Sequence, residues 1–147
     1  MPASDDKYIL SIDLGTSGSK TALTNIYGEV IDFDFEGVPL QHIDDGGVEQ
    51  DPKDWWNAVL NTTKRLLAKE QIDRSKIVAI CASTQWSGTV PVDKDGNNLM
   101  NAVIWMDMRG KKYVEKLAGG LIKIEGYDPK KLLTWIRMTG GAPGLDG

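Results

Sequence analysis

The sequence predicts an α/β domain with a mixed sheet that opens as an antiparallel meander and carries flanking helices. Three observations support this. Three short strand-like segments follow one another between residues 8 and 35, joined by tight turns, the third with alternating apolar and acidic positions. A strongly signalled helix opens at Asp51. After it comes Ile77 to Ser83, a nearly unbroken run of small and β-branched residues. Such a run reads as a strand buried on both faces, and it is the natural parallel member of the sheet.

The elements follow in order. After a polar leader over residues 1–7, Tyr8 to Asp13 reads as a strand entering the turn Leu14-Gly15-Thr16-Ser17-Gly18-Ser19. Lys20 to Asn25 returns, Tyr27-Gly28-Glu29 turns again, and Val30 to Phe35 is the third strand. Val38 to Gly47 reads as a loop broken by Pro39, Asp44, Asp45, Gly46 and Gly47. Asp51 is a good N-cap, Pro52 suits the first helical position, and Asp54 sits favourably in the first turn. Trp55, Val59, Thr62, Thr63, Leu66 and Leu67 then recur on one face, with Lys64, Arg65 and Lys69 gathered near the C-terminal end. Beyond the Ile77 run, Thr89 to Val92 and Asn101 to Trp105 read as strands around the turn Asp93 to Asn97. Helices are expected over Gly110 to Leu117 and from Asp128-Pro129 to about Met138, before a loop-like tail from Thr139.

Composition narrows the function classes. The 147 residues suffice for one domain with a real core, and 41% apolar with 26% charged content is that of a folded chain. A net charge of -4 with the signs interspersed lacks the basic stripe of a nucleic-acid surface. Small anions stay possible, because one loop of backbone N–H groups can bind a phosphate on an acidic protein. The lone Cys81 allows neither an intrachain disulfide nor a CxxC metal site, and the lone His42 excludes most zinc clusters and histidine triads. No segment approaches the roughly 18 apolar residues of a membrane span, and MPASDDK is no signal peptide. The compartment implied is the cytoplasm.

The richest functional signal is Ile12-Asp13-Leu14-Gly15-Thr16-Ser17-Gly18-Ser19-Lys20. Gly15 and Gly18 permit tight geometry and close approach to a ligand, while Thr16, Ser17 and Ser19 supply hydroxyls and Lys20 a fixed charge. Asp13 has the charge and strand-end position to hold a hydrated magnesium ion. This is not a Walker A loop, because a strand rather than a helix follows. Composition alone leaves an ordinary hairpin turn equally open.

The order of residues adds a resemblance. Strand-Asp-x-Gly-Thr-strand resembles the first phosphate motif of the actin, Hsp70 and sugar kinase superfamily, and Ser11 to Lys20 is similar to its FGGY carbohydrate kinase version. Gly47-Val48-Glu49-Gln50-Asp51-Pro52 with Trp55-Trp56 resembles the segment before that family's first helix. Ile80 to Thr89, containing Gln85-Trp86-Ser87-Gly88, resembles its sugar-contacting turn, and Asn101 to Arg109 the strand and turn that follow. The resemblance covers nearly the whole chain from Tyr8 on.

It implies a ribonuclease H-like N-terminal lobe over residues 8–147, incomplete at its end, in an ATP-dependent sugar kinase. Asp13 would then orient magnesium, Gly15, Thr16 and Ser17 would offer donors to ATP phosphates, and Lys20 would neutralise their charge. Gln85, Trp86 and Ser87 would meet the sugar, with Asp107 as a further contact. In relatives that phosphorylate xylulose the turn commonly reads Gln-Met-His-Gly, where this chain has Trp86 and Ser87. The Arg-Glu pair of glycerol kinases is absent, which makes a ketopentose such as xylulose the leading substrate. Trp86 as a core residue and Asp107 as part of a surface turn with Arg109 are the plain alternatives. Glu49 and Gln50 either line the same pocket or merely precede the helix, Asp51, Pro52, Trp55 and Trp56 are structural, His42 is solvent-exposed, and Cys81 is inert packing.

No residue matches the family's general base, adenine pocket or second phosphate loop, so no catalytic base is assigned, and the missing C-terminal lobe becomes an expected partner. The ending in a Gly/Pro-rich stretch reads as an imposed boundary, which predicts an inactive, self-associating fragment. Two other readings compete. One is a non-catalytic sugar-binding or regulatory module of the same fold. The other is an actin- or Hsp70-like ATPase piece, which the Gln85 turn and the Trp105 to Arg109 segment argue against.

Overall fold

The computed structural model describes residues 7–142 and Gly144; residues 1–6 of the expected leader, and Pro143 with residues 145–147 of the expected tail, lie outside them. The chain divides into two compact units, one running to Leu40 and resuming over Gln50–Ala102, the other formed by Gln41–Glu49 and the chain from Val103.

The first unit is built on the expected meander. Strands β1 (Tyr8–Gly15), β2 (Gly18–Asn25) and β3 (Val30–Gly37) pair antiparallel in sequence order. Helix α1 (Pro52–Leu67) leads to β6 (Ile77–Thr84), which lies parallel to β1 and completes the order β3-β2-β1-β6. Asp51 caps α1 as its sequence foretells, its side chain accepting from the Lys53 N–H. The face of α1 bearing Ala58, Thr62 and Leu66 is buried. Leu66 joins Leu10, Leu23 and Ile72 in the core, where Leu10 and Leu23 are cross-strand partners. The Thr21 and Thr62 hydroxyls, both fully buried, meet at 2.7 Å between β2 and α1. At the rim, Arg65 bridges Asp34 and Glu36 of β3, and Lys69 bridges Asp32.

Three expectations change here. Strand β6 is not buried on both faces: it is an edge strand, with Ile80 69% exposed and Cys81 exposed as well. The helix packs chiefly over β2 and β3, so it leaves β6 uncovered among the described residues. Thr89 to Val92 forms no strand; Thr89 and Val92 make isolated bridges, the latter to Asn98 around the Asp93 to Asn97 turn. The supposed loop from Val38 contains β4 (Gln41–Ile43), paired antiparallel with β5 (Gly47–Gln50). The breakers Asp44, Asp45 and Gly46 make the turn between these short strands, and Asp45 takes a left-handed conformation with φ 62°.

The second unit carries this small sheet, in the order β4-β5-β7 with β7 (Ala102–Val103), and the two expected helices α2 (Lys111–Ala118) and α3 (Pro129–Thr139). Asp128 caps α3 by accepting from the Lys130 and Lys131 N–H groups, and Gly140 ends it in the left-handed region.

Gly18 is where the meander admits no side chain. A Cβ there would drive into the Glu36 carbonyl and the Gly37 backbone, whereas at Gly15 it would meet only the Gly18 oxygen at 3.5 Å. Gly18→Ala should therefore cost about 2 kcal/mol or more, as overpacking against backbone does. Gly15→Ala should unfold close to the parent, and urea titrations of both variants compare them directly.

Candidate functional site

The β1–β2 hairpin turns through only two residues, Thr16 and Ser17, between the paired Gly15 and Gly18. Asp13 and Lys20 stand directly opposite each other on its two strands. Both are exposed, and among the described residues neither is engaged in an ion pair. Opposite charges, an exposed Ser17 and unhindered space at Gly15 thus lie at one end of the hairpin. Ser19, expected among the hydroxyl donors, faces the other way: it is fully buried, and its Oγ has no hydrogen-bond partner.

The turn is held from beneath by side-chain amides. Gln85, at the end of β6, donates its backbone N–H to the Leu14 carbonyl at 2.7 Å. Its side-chain Oε1 accepts from the Thr16 hydroxyl at 3.1 Å. Its Nε2 donates to Gln50 Oε1 at 2.9 Å. Gln50 is 0% exposed. Its Oε1 also accepts from Trp55 Nε1 at 3.0 Å, and its Nε2 donates to the carbonyls of Thr16 (2.9 Å) and Pro39 (3.4 Å). The Val38 N–H adds a bond to the Ser17 carbonyl. The sequence leaves Gln50 as pocket lining or helix lead-in and Trp55 as structural. Nothing in it marks the pair as the support of the turn, because both gain their meaning from strands far away in the chain.

Following Gln85, Trp86 is 86% exposed, which rules out a core role for it. Ser87 is also exposed and adopts φ 56°, a conformation that costs a non-glycine residue about 1 kcal/mol. Thr16, expected at the phosphates, and Gln85, expected at the sugar, are thus in direct contact. Gln85 is held by protein partners on both ends of its amide, leaving one N–H and one lone pair for anything else.

Asp107 has a different environment from the one expected of a sugar contact. It is 7% exposed and lies in the second unit. One carboxylate oxygen accepts from the Val48 N–H at 2.9 Å and from Arg109 Nη2 at 2.6 Å; the other accepts from the Arg109 backbone N–H at 3.0 Å. Arg109 reaches on to Glu49 at 2.6 Å. Both oxygens are thus engaged by protein donors, and the group pins β5 to the turn after β7. Arg109 in the first place, with the Val48 and Arg109 N–H groups, holds the Asp107 carboxyl below its ordinary range despite burial.

Among the described residues no group of three or more His, Cys, Asp or Glu side chains could hold a metal ion. Asp13 therefore fits a magnesium ion only as a single carboxylate, the rest of the shell coming from water and phosphate oxygens, which is how that ion is commonly held beside nucleotides. No helix of the described residues is long and apolar enough to cross a membrane.

Comparison with known proteins bears on this geometry. The model for the N-terminal domain of the FGGY family of carbohydrate kinases matches residues 8–140. The xylulose kinase of Bacillus subtilis is 33% identical over 141 residues, covering 89% of this chain and 28% of the relative. The glycerol kinase of Thermococcus gammatolerans is 29% identical, covering 95% and 30%. Among solved structures, the ligand-bound xylulose kinase from Lactobacillus acidophilus superposes with a TM-score of 0.64 at 27% identity, over 91% of this chain and 29% of that one. The xylulose kinase from Bifidobacterium adolescentis reaches 0.72 at 21% identity, over 96% and 27%. The chain therefore spans less than a third of the length of these relatives, and it shares the ribonuclease H-like fold of the sugar kinase, actin and Hsp70 superfamily.

The Asp107 bridge has a pH signature. Its folded pKa lies below the ordinary 3.8, so the unfolded chain binds the proton first. The stabilisation is complete well above that value and is lost as pH falls through the folded pKa. Urea midpoints should be flat from neutrality to about pH 5 and drop below it. Asp107→Asn should cost about 2 kcal/mol at pH 7 and flatten that part of the acid limb.

Proposed function

The chain belongs to the FGGY family of carbohydrate kinases, and from that membership we propose that it forms the phosphate- and sugar-facing part of an enzyme that transfers the ATP γ-phosphoryl group to a sugar hydroxyl. The observation that carries the proposal is the contact between its two family-like turns, Thr16 on Gln85, at the end of one sheet. Phosphoryl transfer is mostly positioning and charge stabilisation, and this chain's residues are suited to both. The Thr16–Ser17 turn would offer backbone N–H donors and Ser17 an O–H donor, Lys20 would supply positive charge, and Asp13 would hold magnesium. The bound ion, with ATP, would supply neutralisation of the transferring phosphate.

The sugar is proposed to meet the turn after β6. Exposed Trp86 offers an apolar face for stacking on a sugar ring, and Ser87 and the remaining N–H of Gln85 offer hydrogen bonds. A ketopentose such as xylulose is favoured over glycerol, because Trp86-Ser87 stands where glycerol kinases carry Arg-Glu. Asp107 enters this reading as a positioning group rather than a sugar contact, since protein donors engage both its oxygens. No general base is assigned within the chain. The compartment proposed is the cytoplasm.

The test is turnover by the complete gene product with ATP and magnesium against a panel of ketoses and polyols. ADP release is expected with one sugar, and Asp13→Ala should lower kcat about a hundredfold, the loss typical of removing one charge-stabilising group. Sugar binding without nucleotide binding would instead favour a non-catalytic sugar-binding module.

The 147-residue chain by itself is further proposed to self-associate. Its β6 edge offers unpaired backbone beside exposed Val78 and Ile80. Sedimentation should show concentration-dependent dimers or larger species, and a monomer alone at high concentration contradicts this.

A further inference from the structure

Gln50 touches both turns of the proposed site without being part of either. Its Nε2 donates to the Thr16 carbonyl in the hairpin turn, and its Oε1 accepts from Gln85 at the start of the second turn. Trp55 and Pro39 take up its remaining lone pair and N–H. With 0% exposure, no water can replace a lost partner. Rotating or displacing this amide breaks bonds to Thr16, Gln85 and Trp55 together, and each orphaned buried group carries a penalty. Thr16 and Gln85 are consequently ordered as one body, and the Thr16 hydroxyl on Gln85 Oε1 closes the loop.

We propose that Gln50 is a positioning residue that locks the phosphate-facing turn to the sugar-facing turn, so that nucleotide at the first turn orders the second before sugar arrives. The coupling rests on the kinase reading above. A ligand that orders the Thr16–Ser17 turn also bears the cost of ordering residues 85–88, and the second ligand then binds a turn that is already set.

Amide hydrogen exchange of the complete gene product tests this, with magnesium and a non-hydrolysable ATP analogue as probe and no sugar present. In the parent protein the analogue should slow exchange at residues 15–18, and by about tenfold at residues 85–88, within the usual range of coupling between sites. Gln50→Met keeps the shape and removes the hydrogen bonds. In it the protection at 15–18 should persist while that at 85–88 falls to twofold or less. A purely structural role would loosen both segments equally with and without the analogue, leaving the ratio unchanged. Trp55→Phe, which removes one donor to Gln50 and retains an aromatic ring on the side facing Gly88, should give an intermediate loss, and it decides the matter if circular dichroism shows Gln50→Met unfolded. Parent-like protection at 85–88 in the folded variants overturns the proposal, as does its absence in the parent. Absence of protection at both turns of the parent overturns the kinase reading, and the coupling with it.

Discussion

A fully buried primary amide must find four hydrogen bonds inside the protein, and the arrangement of the first unit follows from meeting that demand at Gln50. Its partners come from four places in the chain: the β1–β2 turn, the segment after β3, the first turn of α1 and the end of β6. None of these can shift alone without stranding a polar group away from water. The helix is fixed at its start by the Asp51 cap and along its length by Leu66 in the core, so Trp55 approaches Gln50 from a rigid element. The Thr16–Ser17 turn, which as an isolated two-residue hairpin would be among the more mobile parts of a sheet, instead rests on this support.

The contrast between Asp13 and Asp107 shows how burial divides similar side chains. Both are aspartates in family-like motifs, Asp13 near the end of β1 and Asp107 in the turn after β7. Asp13 is exposed opposite Lys20, open to a cation or a phosphate-bound ion. Asp107 is enclosed by Val48 and Arg109, and a neighbouring carboxylate, Glu49, shares the same guanidinium. Glu49 and Gln50 are adjacent in sequence, yet Glu49 accepts from Arg109 while Gln50 donates to the Thr16 carbonyl.

Local signals made much of the fold legible. The meander, the Asp51-Pro52 start of α1, the Asp128-Pro129 start of α3 and the parallel placement of β6 all follow from turn residues, caps and periodicity. The errors arose where tertiary context decides. The Ile77 run looks like a central strand by composition, but a strand's burial depends on what covers it, and α1 lies elsewhere. β4 and β5 are too short to show a period, so their Pro, Asp and Gly residues read as loop. In the site, the charged and glycine-bearing turn was readable from its residue order. The amide support was not, because Gln50 and Gln85 are 35 residues apart and a lone glutamine has no motif.

These parts describe a hairpin, proposed to face the nucleotide, whose conformation is imposed from below, with exposed Asp13, Ser17 and Lys20 at its open end. The central claim is that this hairpin, rather than any other surface of the chain, receives nucleotide phosphate. A crystal structure of the complete gene product with ADP and magnesium tests it most directly. The account predicts a phosphate oxygen within hydrogen-bonding distance of the Thr16 or Ser17 N–H and a magnesium-bound water on Asp13. ADP seated with its phosphates away from residues 13–20 would contradict it.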